Sequence, residues 1–217
     1  MVEIGYCGAF GRKLRIVKWL LSNGTGKARR HGLPIASNLL DRNFTVAAPN
    51  RAWAGDVTSI PTEEGWLFLA VVMDLFSRRI VGWPMRDSMR SEIVVDALEM
   101  AWLQRSPDKD AGPIFHSDRG SQHASREFSQ VLREHRTAPS MSRKGNCWDN
   151  ACSETLFGSL KVERLHGMQL QTVRQAKDET LDWLLWYNRT RLHSTLKYVS
   201  PMQFEKQWQD RTEAIAS

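Results

Sequence analysis

From residue 53 the hydrophobic and polar positions read first as short strands and then as helices. Trp53 to Ile60 is a strand candidate, closed by the turn residues Pro61-Thr-Glu-Glu-Gly65. Trp66-Leu-Phe-Leu-Ala-Val-Val-Met73 is apolar on both faces, the pattern of a central strand. A turn at Asp74-Leu-Phe-Ser-Arg leads to a third strand, Arg79 to Trp83, stopped by Pro84. Such short connections predict an antiparallel meander. Ser88 or Ser91 can cap the helix that follows, with Ile93, Ala97, Met100 and Ala101 on its core face and Pro107 at its end. A short strand from Pro113 to His116 arrives after that helix, which predicts parallel pairing with the first strand. Behind a Ser125 cap, Phe128, Val131, Leu132 and His135 fall at i, i+3, i+4 and i+7, as on one helix face. Ala138 to Met141 supplies a fifth strand.

Ser142 to Asn150 is a polar, glycine-containing loop, and Asp149 or Asn150 caps a helix running to about Arg164. Thr172-Val-Arg-Gln175 has the capping-box pattern and opens a last long helix. Val173, Ala176, Thr180, Leu184 and Tyr187 share one face of it, and Trp183, Trp186 and Tyr187 read as core. The tail from Tyr187 to Pro201 is polar and basic with interleaved aromatics. Residues 1–50 are irregular by contrast. They allow one amphipathic helix, with Leu14, Val17 and Leu21 on a face, and hold the basic cluster Lys27-Ala-Arg-Arg-His31. The expected organisation is a basic arm and linker over 1–50, a core over 51–166 and a helical extension over 167–217.

A chain of 217 residues accommodates one good-sized domain and a small appendage. The longest apolar run, Trp66 to Met73, is far short of the ~18 residues of a membrane span. There is no signal-peptide pattern, and an odd count of three cysteines makes no disulfide framework. A soluble protein of a reducing cytoplasm is expected. The net charge of +6 resides in the arm: residues 1–50 carry eight Lys/Arg against two Asp/Glu, and the remainder carries twenty-two of each. That asymmetry suits a polyanionic partner as well as it suits a merely soluble basic surface.

Three acids stand out. Asp118 ends a short apolar run and reads as the tip of a buried strand. Glu154 opens an apolar-periodic segment after the loop and reads as first-turn helix, thirty-five residues on. Asp56 lies upstream on the first strand. Two strand carboxylates and one helix carboxylate can converge as oxygen ligands for Mg²⁺. Cys147 and Cys152 lack any pair at zinc-finger spacing and read as free thiols. His116 reads as packing or support, and Asp74 as a partner of backbone groups in its turn.

Five stretches carry a resemblance. They are Trp-Ala-Gly-Asp56-Val-Thr, Asp74-Leu-Phe-Ser-Arg-Arg-Ile-Val-Gly-Trp, His116-Ser-Asp118-Arg-Gly-Ser-Gln, Ser140-Met-Ser-Arg-Lys-Gly-Asn-Cys-Trp-Asp-Asn-Ala-Cys-Ser-Glu154 and Tyr187-Asn-Arg-Thr-Arg-Leu-His-Ser-Thr-Leu. Over roughly residues 28 to 208 the chain resembles the second-frame subunit (OrfB) of insertion-sequence-three family transposases, relatives of retroviral integrases. The resemblance implies an α/β ribonuclease-H-like fold, a five-stranded mixed sheet with helices on both faces, with the integrase catalytic core over 51–166. It implies Asp56, Asp118 and Glu154 as catalytic and metal-holding residues for two Mg²⁺ or Mn²⁺ ions, with Asp56 bridging them. The implied activity is cleavage of DNA at an element's end and strand transfer by the freed 3′-hydroxyl. The implied partners are double-stranded DNA at element ends and target, further copies of the chain, and an upstream-frame (OrfA) subunit. Lys161, Arg143, Lys144, Arg189, Arg191 and His193 are candidate DNA contacts, and Lys161 stands where related transposases often carry a cation. Two departures are visible. Residues 1 to about 27 do not match the family's helix-turn-helix-like module, and His123 stands where the family usually has tyrosine. A hydrolysis-only nuclease of the same fold and a truncated, non-catalytic DNA-binding remnant remain as alternatives.

Overall fold

The structure, a computed structural model, describes residues 35–41, 44–108, 112–143 and 151–216. The expected N-terminal helix and the Lys27–His31 cluster lie outside the described residues, as do Lys144, Cys147 and the Asp149/Asn150 cap. Strands β1 (Ala52–Thr62), β2 (Gly65–Asp74) and β3 (Ile80–Gly82) form the antiparallel meander. Beyond Pro84 a two-residue strand, β4 (Met85–Arg86), returns to pair with β2. The sheet is therefore six-stranded rather than five-stranded, because two residues are too few to leave a periodic signal. Helix α1 (Glu92–Arg105) carries the chain to β5 (Ile114–Ser117), parallel to β1. Helix α2 (Arg126–Glu134) then leads to β6 (Ala138–Met141), parallel to β5. The order β3-β2-β1-β5-β6 leaves β1, the longest strand, in the middle.

Helices cover both faces of this mixed sheet. On one, Ala70, Val72 and Val81 pack with Ile93, Val94, Ala97 and Leu98 of α1 and with Phe128 and Leu132 of α2. On the other, Ile60, Leu67, Leu69, Val71 and Met73 lie under α3 (Ala151–Leu160) and α4 (Val173–Arg189), which contribute Leu156, Phe157, Leu160, Trp183, Leu184 and Tyr187. The half of β2 from Leu69 to Asp74 is buried on both faces, as a continuous apolar run demands. A five-residue π-helical turn, Lys161–Leu165, follows α3 directly. Trp186 departs from the expected core role and is exposed. At 3.6 residues per turn it falls on the flank of the stripe that Ala176, Thr180, Trp183, Leu184 and Tyr187 bury.

Capping follows the sequence in two places and departs from it in one. The Ser125 hydroxyl accepts from the Phe128 N–H, and the Thr172 hydroxyl from the Gln175 N–H. Gln175 returns its bond to the Gln171 N–H rather than to that of Thr172. Ser91 holds the N-cap of α1, but its backbone is already helical and its side chain makes no capping bond.

Beyond the basic tail runs a helix that the periodicity did not reveal, α5 (Pro201–Ala216). Its start was legible. Ser200-Pro-Met-Gln203 is a capping box, with the Gln203 N–H donating to Ser200 Oγ and the Ser200 N–H to Gln203 Oε1. What seats α5 is polar. Glu205 is buried and accepts from Ser77 Oγ at 2.7 Å, Arg79 at 2.7 Å and Arg105 at 2.8 Å. Arg105 also reaches Asp74, which accepts the Asn50 and Phe76 N–H groups in its turn. Burial pushes the Glu205 carboxyl up, but Arg105, Ser77 and Arg79 outweigh it and hold it below the usual carboxylate range. At Asp74 burial wins and the carboxyl is raised.

One glycine is required by packing beside the central strand's acid. A Cβ on Gly55 would lie 2.2 Å from the ring of Phe115, which is buried against β1. Replacing Gly55 with Ala should destabilise the fold by about 1–3 kcal/mol through overpacking. Urea unfolding of the two chains measures this, and an unchanged midpoint would show that the ring can move aside.

Candidate active site

Parallel pairing sets the site's frame. Gly55 on β1 is opposite Ser117 on β5. Asp56 and Asp118 are the residues that follow each of these, one within β1 and one just past the end of β5. Alternation along β1 places Asp56 on the face of Ala54, Thr58 and Ile60, the face that α3 covers. There the Val57 N–H donates to Asp56 Oδ1 at 2.7 Å.

Asp118 follows the last residue of β5, and its side chain turns back on the loop. Its Oδ1 accepts the Gly120 N–H at 3.0 Å and lies 3.0 Å from His123 Nδ1. His116, the buried histidine two residues before it, bonds Ser140 Oγ at 2.8 Å through Nδ1 and approaches Ser142 Oγ through Nε2. It ties β5 to β6, the supporting role its position suggested. Arg119 donates to the Ser142 carbonyl, fixing the end of β6 from which the chain runs toward Glu154.

Glu154 occupies the first turn of α3. That helix is laid on β1: Cys152 packs with Ala52 and Ala54, and Leu156, Phe157 and Leu160 share a cluster with Ile60. Glu154 is exposed as a residue, yet partial burial of its carboxyl raises its pKa. Lys161, first residue of the π-helical turn, lies within electrostatic reach of Asp56. Burial lowers its ammonium pKa while Asp56 pulls it back up. Among the described residues, no three His, Cys, Asp or Glu side chains are drawn together into a ready-made metal cage.

The other candidate contacts divide. Arg189 is exposed at the end of α4. Arg143 is exposed and pairs with Asp41 at 2.9 Å. Arg191 is engaged: it pairs with Glu163, reaches Ser159 and lies over the ring of Tyr187. His193 packs edge-on against Tyr187, and burial followed by the charge of Arg191 pushes its pKa down to about 4. At neutral pH it brings no positive charge to a phosphate. His123 stood out in the sequence only as a departure from the family's usual tyrosine, five residues after Asp118, and not as a site residue.

Two sequence models described as integrase core domain match, one over residues 46–147 and one over 154–208. The simian T-cell lymphotropic virus intasome, solved in complex with PP2A regulatory subunit B56 gamma, superposes with a TM-score of 0.63 at 18% identity, over 92% of this chain and 71% of that one. The HTLV-2 integrase catalytic core, solved with magnesium, gives 0.53 at 17% identity, over 73% and 97%. The fold is thus the ribonuclease-H-like fold of integrase cores. Among sequences, the transposase InsF of insertion sequence IS3fB from Escherichia coli K12 is 44% identical over 181 residues, covering 82% of this chain and 62% of that protein. The transposase of IS904 from Lactococcus lactis is 42% identical over 170 residues, covering 78% and 66%. The chain belongs to the insertion-sequence-three transposase family, as an OrfB-type member. It spans about six tenths of the length of the InsF relatives. No helix among the described residues is long and apolar enough to cross a membrane.

The depressed His193 pKa has a stability consequence with a definite sign. Below its ordinary value of 6.5 the unfolded chain takes up a proton that the folded ring refuses until about pH 4. Stability should therefore fall as pH drops from 6.5 toward 4 and be insensitive to this group above that window. Replacing His193 with Gln should flatten that part of the urea-midpoint profile. An NMR titration of the ring centred near 6.5 would contradict the assignment.

Proposed function

We propose that this chain is a divalent-metal-dependent polynucleotidyl transferase that nicks DNA at the ends of a mobile element and joins the freed 3′-hydroxyl to target DNA. Asp56, Asp118 and Glu154 are its catalytic, metal-holding carboxylates. The observation that supports the reading is the parallel register of Gly55 with Ser117, after which Asp56 and Asp118 each follow by one residue, with Glu154 in the first turn of the helix packed on β1. The donor set fits hard cations such as Mg²⁺ or Mn²⁺, since all three groups offer carboxylate oxygen. Three carboxylates repel one another, so such a cluster closes around cations rather than before them. When bound, two ions supply Lewis-acid charge to the attacking and leaving oxygens of an in-line displacement at phosphorus. The magnesium in the HTLV-2 integrase core supports this choice of ion.

The chain's own groups handle the DNA. Lys161, beside Asp56, holds the backbone phosphate next to the scissile bond, and Arg143, Lys144 and Arg189 extend the contact along the duplex. Arg191 and His193 serve this interface indirectly, one committed to Glu163 and the other neutral, by fixing the junction after α4. The HTLV-2 core was solved in dimeric and trimeric forms, which supports assembly of several copies of the chain. An upstream-frame OrfA subunit is the further partner.

Asp56→Asn, Asp118→Asn and Glu154→Gln should each abolish cleavage of a labelled element-end duplex in Mg²⁺ while leaving circular dichroism unchanged. Adding plasmid target separates transfer from hydrolysis, because a hydrolytic enzyme cuts and never joins. Efficient joining by any one variant would remove that residue from the assignment. Lys161→Ala should weaken binding of cleaved-end DNA and lower the log–log salt slope by about one, the signature of a lost phosphate contact. Unchanged affinity and slope would leave Lys161 outside the DNA interface.

A further inference from the structure

His123 is an unusual neighbour for a catalytic carboxylate. It lies in the loop between β5 and α2, yet it is only 3% exposed. Its ring is held by aromatics on two sides. Phe128 of α2 meets it edge-on at 5.4 Å between centroids, and Phe115 of β5 lies tilted at 6.2 Å. Phe115 in turn fills the space left by the missing side chain of Gly55, the residue before Asp56. The imidazole is thus wedged between sheet and helix with one edge turned to Asp118, where Nδ1 is 3.0 Å from Oδ1. A carboxylate can only accept, so Nδ1 carries the proton and donates. The Gly120 N–H donates to the same oxygen, also at 3.0 Å. Two donors of different rigidity, a loop amide and a packed ring, therefore fix the carboxylate's rotation.

We propose that His123 is a positioning residue, which holds the Asp118 carboxylate in the orientation that receives a divalent cation. This rests on the reading of Asp118 as a metal ligand. Packing alone does not account for the contact, because an apolar ring of the same size would satisfy Phe115 and Phe128 equally well. Only a ring with a donor at this edge meets Oδ1. A hydrogen bond to a ligating carboxylate removes rotational freedom that the ion would otherwise have to freeze. The site then binds its ion with less ordering cost.

The test is Mn²⁺ binding by the full chain without DNA, followed by the free-ion paramagnetic resonance signal. His123→Phe keeps an aromatic ring and deletes the donor. His123→Asn keeps a donor near the Nδ1 position and gives up the ring. Loss of such a supporting bond typically costs 10–100-fold in metal affinity. His123→Phe should weaken Mn²⁺ binding by about that factor with its thermal midpoint preserved, and His123→Asn should bind within about threefold of the parent. Should the phenylalanine chain fail to fold, His123→Leu takes its place. Parent-like Mn²⁺ binding by the donor-less chain overturns the proposal and makes the ring's packing the whole of its role; weak binding by both variants overturns it too, because a restored donor would then fail to restore the site. Asp118→Asn separates the two levels of the argument. If it weakens binding and the donor-less chain does not, the positioning role fails and the ligand assignment stands. If it binds like the parent, the ligand assignment fails and the positioning role with it.

Discussion

The parallel pairing of β1 with β5 is the constraint on which the arrangement depends. Two parallel strands cannot be joined by a tight turn, so the chain must leave the sheet, cross as α1 and return. That crossover covers one face. It also places the end of β5, with Asp118, beside Asp56 in the interior of β1. Slipping the register by one residue would turn the Asp56 side chain to the opposite face and bury it among Val72, Ile93 and Phe128. The apolar residues on both sides of β1 thus hold the acid at its depth. Its neighbour Gly55 lets Phe115 close on the strand without displacing it.

A second constraint is electrostatic and lies at the Asp74 end of β2. Asp74, Arg79, Arg105 and Glu205 come from the end of β2, the turn that follows it, the end of α1 and the first turns of α5. A buried carboxylate is costly unless it is paired and hydrogen-bonded, and Glu205 is both. Removing one partner would strand a charge, so the cluster acts as a fastener among four segments distant in sequence. Phe76 adds an apolar contact to the same junction by packing on Phe204 and Trp208 of α5.

Around the proposed active site, support is graded by rigidity. Asp118 is fixed by a packed histidine and a loop amide, and His116 and Arg119 pin the neighbouring strand ends to Ser140 and Ser142. Glu154 rides on a helix with its carboxyl near the surface, where it can adjust to what binds. Directly after that helix the backbone widens into a π-helical turn bearing Lys161 and Glu163. Such turns reposition side chains relative to an α-helix. Here Lys161 lies within electrostatic reach of Asp56 and Glu163 pairs with Arg191, so the turn separates the carboxylate end of the site from the ion-paired junction behind it.

Much of this was readable in the residues alone, for a reason of scale. The meander, the crossover strand, the Ser125 and Thr172 caps and the three acids each announce themselves within a dozen residues, through period, turn chemistry or flanking motif. Nothing so local announced β4, which is two residues long, or Trp186, which a small rotation about the helix axis moves from core to surface. Helix α5 was half legible, since its Ser200–Gln203 capping box stands in the sequence, but its anchor Glu205 finds its partners 100 to 128 residues away. Arg191 and His193 looked like free basic groups until folding gave one a carboxylate and the other a cationic neighbour and a dry face. The bond from His123 to Asp118 was likewise decided in three dimensions. The sequence put the two residues five apart, but the packing of the ring against Phe115 and Phe128 is what holds the imidazole toward the carboxylate. Local pattern determines which elements form. Which side chains are charged, buried or aimed at one another depends on segments that meet only when the sheet is built.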